Sequence, residues 1–104
     1  MSEDQLNPVV AQFVDTLNAG DSSGFFDLLT SDAIISDDGA DRDIRKWAGS
    51  EAFGSNGHLH IESITDGGTE LVAIYSNTRW GTRRSAWRFT VSGGKISRVQ
   101  TKSA

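Results

Sequence analysis

The feature that most constrains this chain is the punctuation of its second half. Three short clusters, Asp66-Gly67-Gly68, Gly81-Thr82 and Ser92-Gly93-Gly94, interrupt runs rich in β-branched and aromatic residues. Glycine admits the positive φ that tight turns need, so each cluster reads as a hairpin between neighbouring strands. The strands run from His58 to Thr65, Glu70 to Trp80, Arg84 to Val91 and Lys95 to Lys102. Three successive hairpins make an antiparallel meander, which must bury one face against something apolar.

The first half supplies that cover. Asn7 suits an N-cap and Pro8 the first helical position, where its missing N–H costs nothing. Val9, Val10, Phe13, Val14 and Leu17 then recur at helical spacing, and Gly20 ends the run. Asp21 can cap a second, short helix carrying Phe25, Phe26, Leu28 and Leu29. A short strand from Asp32 to Asp37 is bounded by the turn residues Asp38 and Gly39. A third helix is expected from Asp41 to about Ala52, with Ile44, Trp47 and Ala48 facing inward and Gly49 and Ser50 weakening its end. Helices first and a meander second is an α+β pattern. With 104 residues the chain has room for one domain, spanning 1–104.

Composition narrows the functional classes. The formal charge of −4 argues against nucleic acid or an anionic membrane as partner. Without cysteine there is no disulfide, thiolate nucleophile or Cys-based zinc site. Met1 to Asn7 is polar and acidic rather than signal-like, and no apolar run approaches the roughly 20 residues of a membrane span. A cytoplasmic location without cofactor is the expectation.

Strand alternation assigns faces. Val72, Ile74, Ser76, Thr78 and Trp80 share one side, and Ser85, Trp87, Phe89 and Val91 share one side of the next strand. These more apolar sides are expected to meet the helices. On the first strand Asp37 falls on the same side as Ala33 and Ile35.

The run Phe13 to Asp21, the segment Asp32-Ala33-Ile34-Ile35-Ser36-Asp37-Asp38-Gly39, the stretch Asp43-Ile44-Arg45-Lys46-Trp47 and the closing Phe89 to Ile96 together resemble the nuclear transport factor 2-like superfamily. The resemblance extends to its small bacterial members often called SnoaL-like. The resemblance implies a cone-shaped, curled sheet wrapped around the first helix, a central pocket, and a homodimer across the outer sheet face. It implies no particular reaction, because this fold hosts isomerases, cyclases, hydrolases, dehydratases and binding modules.

On that frame the ligand-pocket residues are expected to be Phe13, Leu17, Ile35, Trp47, Leu59, Ile61, Val72, Ile74, Ser76, Trp80, Ser85, Trp87, Phe89 and Val99. Asp37 stands where the resemblance places the base of ketosteroid isomerases, and a carboxylate among apolar neighbours can take and return a proton. The resemblance also implies two acidic donors for a developing oxyanion. They match Phe13 and Ser85 or Ala86 here, none of them an acid, so steroid isomerisation is not expected. Asp37 can alternatively cap the loop or the third helix.

His58 and His60 alternate with Leu59 and Ile61 and should face outward. With Glu62 they have metal-ligand spacing, but such a pair on a strand is more often solvated, and no metal is expected. Arg79, Arg83, Arg84, Arg88 and Arg98 are read as an outer face pairing with acidic residues of a second subunit. Asp4, Asp15 and Glu51 are expected at the surface, and Phe25, Phe26 and Phe53 in the core. Two functions stay open: binding of a small apolar ligand without catalysis, or proton transfer on an apolar cyclic metabolite by an isomerase or cyclase with Asp37 as general base.

Overall fold

In the computed structural model, which describes residues 6–104, the first helix α1 runs Pro8–Ala19. Its start and stop are local chemistry. The Asn7 side chain accepts from the Val9 N–H at 3.1 Å, Pro8 opens the helix, and Gly20 closes it at φ 70°. Val10, Phe13, Val14 and Leu17 are fully buried, so one helical stripe becomes the centre of the core. Asp21 caps α2, Ser22–Asp27, by accepting from the Gly24 N–H at 3.0 Å. That turn brings Phe25 onto Phe13, with ring centroids 4.7 Å apart. The termini 1–5, including Asp4, lie outside the described residues.

Strand β1, Leu29–Asp37, turns through Asp38 and Gly39 into β2, Ala40–Asp43. Both turn residues have positive φ, 51° and 91°, the geometry that matches a hairpin to the twist of its strands. The second strand was not anticipated: the expected third helix begins only at Ile44. Asp43 caps it by accepting from the Arg45 N–H at 2.9 Å. Helix α3 covers Ile44–Trp47 and continues as a wider π turn, Ala48–Ala52, and a 3₁₀ turn, Phe53–Ser55. The widening falls where Gly49 and Ser50 weaken helical order.

The meander follows as β3 (His58–Thr65), β4 (Glu70–Asn77), β5 (Gly81–Ser92) and β6 (Lys95–Ser103). The sheet order is β2-β1-β6-β5-β4-β3, antiparallel throughout except that β1 runs parallel to β6. The six strands form a curved, unclosed sheet with the helices packed on its concave face. Phe13 meets Phe89 at 4.9 Å and Trp87 at 6.5 Å there.

One face assignment is corrected. On β4 the buried side chains are Leu71, Ala73 and Asn77, with Tyr75 beside them, while Val72, Ile74 and Ser76 lie on the convex face. The cause is the turn. A hairpin on Gly81-Thr82 would pair Trp80 with Arg83, but the tip is Thr78-Arg79-Trp80, and Asn77 pairs with Gly81. The two registers differ by an odd number of residues, so the whole face inverts. Asn77 fixes the observed tip by accepting from the Trp80 N–H at 2.6 Å, and the Thr78 N–H donates to Ser55 O at 2.8 Å. The β5 assignment stands: Ser85, Trp87 and Phe89 are buried.

Candidate functional site

At one end of the concave face a cavity of about 280 Å³ opens between the sheet, the π turn and the β4–β5 tip. Its floor is a cross-strand row. Asp37 on β1 lies beside Thr101 on β6, which lies beside Trp87 on β5. Ser85 and Tyr75 extend the floor along β5 and β4. Trp47 and Glu51 descend from α3 and the π turn, and Trp80 stands at the rim. Trp47, Tyr75 and Trp87 form a continuous aromatic wall. The Trp47–Trp87 centroids are 6.1 Å apart, Tyr75–Trp87 5.8 Å and Trp47–Tyr75 6.3 Å.

The polar groups divide into engaged and free. Glu51, only 7% exposed, accepts from the Trp80 indole N–H at 2.5 Å and lies 3.7 Å from the Arg42 guanidinium. The Glu51 backbone carbonyl accepts from the Tyr75 hydroxyl at 2.5 Å and from the Asn77 amide at 2.9 Å. Asp38 pairs with Arg83 at 3.0 Å and accepts from the Ser103 N–H at 3.2 Å. Asp37, by contrast, makes no hydrogen bond or ion pair among the described residues, and the Ser85 and Thr101 hydroxyls make none either. The Trp87 Nε1–H is buried and has no acceptor among the described residues. Burial pushes the Tyr75 hydroxyl above its ordinary pKa. The Asn77 hydrogen bond opposes this, and the Glu51 and Asp37 charges add to it.

Asp37 therefore caps neither the loop nor the third helix among the described residues. Asp43 takes the helix cap and Asp38 takes the turn and strand contacts. Of the residues expected at a pocket, Trp47, Trp80, Ser85 and Trp87 line the cavity with Asp37. Phe13, Leu17, Ile35, Leu59, Phe89 and Val99 are buried in the core beneath it, and Ile61 packs against that core. Val72, Ile74 and Ser76 belong to the other side of the sheet. Trp80 is 70% exposed and does not fill the space.

Glu51, read as a surface residue, is buried at the cavity wall; its signal, a single acid after Gly49-Ser50 in a disrupted helix, gives no direction. Tyr75 and Asn77 were missed through the inverted β4 register. Thr101 was within reach, because it alternates with Val99 on β6. The arginines find acids within their own chain. Arg83 meets Asp38, Arg84 meets Glu62 at 2.8 Å, Arg88 meets Glu70 at 3.0 Å, and Arg98 meets Asp41 at 3.0 Å. Arg79 lies over the Trp80 ring. His58 and His60 are exposed, and no set of three metal-ligating side chains gathers among the described residues. No helix among these residues is long and apolar enough to cross a membrane.

No protein-family model matches the chain, and no curated protein matches it in sequence. Solved structures do match. A candidate polyketide cyclase from Sinorhizobium meliloti superposes with a TM-score of 0.81 at 18% identity, covering 98% of this chain and 100% of that one. A candidate ketosteroid isomerase from Kribbella flavida gives 0.76 at 16% identity, over 97% of this chain and 78% of that one. A protein of ketosteroid isomerase-like fold from Catenulispora acidiphila, solved with trimethylamine, gives 0.72 at 16% identity, over 95% and 87%.

Proposed function

This chain has the nuclear transport factor 2-like fold, and from that premise we propose that it binds a small, largely apolar molecule in the cavity floored by Asp37. One observation carries this reading. A carboxylate with no partner among the described residues lines an open cavity of about 280 Å³ whose walls are Trp47, Tyr75 and Trp87. Ligand sites combine an apolar, aromatic lining with a few placed polar groups in this way. A ligand that pairs with Asp37 meets a carboxylate that no other described residue already engages.

The test is a nuclear magnetic resonance titration with small neutral, cationic and anionic ring fragments, read on the three tryptophan indole N–H signals. Fragments of at least one charge class should shift the Trp47 and Trp87 signals, and Asp37→Asn should weaken that binding while leaving the melting temperature within a few degrees. Signals unmoved by every class, or a collapse in the stability of Asp37→Asn, would remove the basis for the reading.

A second reading, proton transfer with Asp37 as base, is favoured by the free donors beside it. The Ser85 and Thr101 hydroxyls line the cavity and have no partners among the described residues, and such groups can receive negative charge developing on a carbonyl oxygen. Cyclohexanone in heavy water serves as probe. The wild type should speed α-proton exchange, and Asp37→Asn should lower that rate by about 10²-fold or more, the range for a general base. Equal rates in both proteins would rule proton transfer out and leave binding standing.

A further inference from the structure

We infer that the ligand class of the Asp37 cavity is a small organic ammonium ion; this rests on the binding reading above and deepens it. The argument begins with charge. Three carboxylates border the cavity, and two are already answered. Asp38 has Arg83 and the Ser103 N–H, and Glu51 has the Trp80 indole N–H and Arg42. Both arginines are thereby engaged. Asp37 is left as the one carboxylate there without a partner among the described residues, and the cavity keeps an excess of one negative charge.

The wall beside it has the same electrostatic sense. Trp47, Tyr75 and Trp87 bring three π-systems within 5.8 to 6.3 Å of one another beside the cavity, and Trp80 adds a fourth at its rim. Aromatic faces attract cations, and the attraction grows when the site is shielded from water. Trp47 and Trp87 are each 2% exposed, so most of the ring surface open to the cavity belongs to the half-buried Tyr75 and to Trp80 at its rim. An anionic ligand would meet Asp37 with like charge. A neutral one would leave that charge unanswered.

The same features select an organic cation over a metal ion. A hard divalent ion demands several oxygen ligands and gives up its water reluctantly, whereas one free carboxylate and three rings offer mainly carbon. An alkylated ammonium is weakly hydrated and apolar on its surface, which suits a carboxylate at one end and aromatic faces along the side. The Ser85 and Thr101 hydroxyls are placed to meet an oxygen carried on the same ligand.

The experiment compares choline with 3,3-dimethylbutan-1-ol, which has the same shape with carbon in place of the charged nitrogen. Binding is measured by calorimetry and by the Trp47 and Trp87 indole signals. Choline should bind the wild-type protein at least about tenfold more tightly than the alcohol, and Asp37→Asn should bring the ratio close to one. If the alcohol binds as tightly as choline, the ammonium class is wrong while the cavity remains a ligand site. If choline leaves both signals unmoved while neutral or anionic fragments shift them, the class is again overturned and the binding reading survives. If no compound of any class shifts them, both fall together. The wild-type comparison does not depend on how any variant folds.

Discussion

Asp37 sits between Ser36 and Asp38, and the three side chains have different fates. Ser36 lies on the convex side, Asp38 is exposed and paired with Arg83, and Asp37 opens onto the cavity. Alternation separates Ser36 from Asp37, and Asp38, at φ 51°, has already left the strand for the turn. Tyr75, the only tyrosine in the chain, makes a residue-scale prediction unambiguous. Burial holds its hydroxyl in the protonated form, so its pKa in the folded state lies above the unfolded value of about 10. The unfolded chain therefore loses this proton first as pH rises. Tyr75 stabilises the fold fully below about pH 10, and that contribution is lost as pH climbs through the folded-state pKa. The tyrosinate absorbance should rise only above pH 10, and the unfolding free energy of the wild type should fall in the same window. Tyr75→Phe should lack this alkaline fall. It should also be about 1 kcal/mol less stable at neutral pH, because the hydrogen bond to Glu51 O is gone. An ordinary tyrosine titration in the folded protein would refute the account of its environment.

Between elements, the join of the 3₁₀ turn to β3 is a close approach. The Gly57 N–H donates to Ala52 O at 2.6 Å, and a β-carbon at Gly57 would lie 2.7 Å from Tyr75 Oη and 2.9 Å from Ala52 Cα. Gly57→Ala is expected to cost about 1–3 kcal/mol through overpacking, measured by the denaturant midpoint. In a Tyr75→Phe background, where the hydroxyl is missing, the same substitution should cost less, and simple additivity would show that Tyr75 is not the atom in the way. Elements also differ in how far sequence exposes them. The limits of β3, the caps at Asn7 and Asp21 and the stop at Gly20 are set by groups within a few residues of one another, so they can be read locally. The expected helix from Asp41 to Ala52 starts late and widens for the opposite reason. Ala40–Asp43 is drawn into pairing with β1, a choice made by a neighbouring strand, and the glycine-containing segment after Trp47 relaxes into a π turn.

As a whole, the molecule turns its concave side to the helices, and no helix among the described residues covers its convex side. Val72, Ile74 and Ala86 are half-buried there, and a groove of about 410 Å³ runs past Ser63, Val72, Ala86 and Arg88. The homodimer expected across this face remains our proposal, with these apolar residues at its centre; the arginines around them are already paired within the chain. Sedimentation at micromolar concentration should give about twice the 11.2 kDa of one chain, and Val72→Glu should return it to a single chain. A wild-type species of about 11 kDa would overturn the proposal.

The sequence by itself determined the α+β order, the amphipathic face of α1, the hairpin glycines and the inward side of β5, because caps, turns and residue periodicity act over short stretches of chain. Only the tertiary structure decided which face of β4 turns inward, that Glu51 is buried under Trp80, and that Asp37 has no partner among the described residues. Those outcomes depend on register between strands and on which charges meet across the fold. One displaced turn inverts a whole strand, and nothing local reports it.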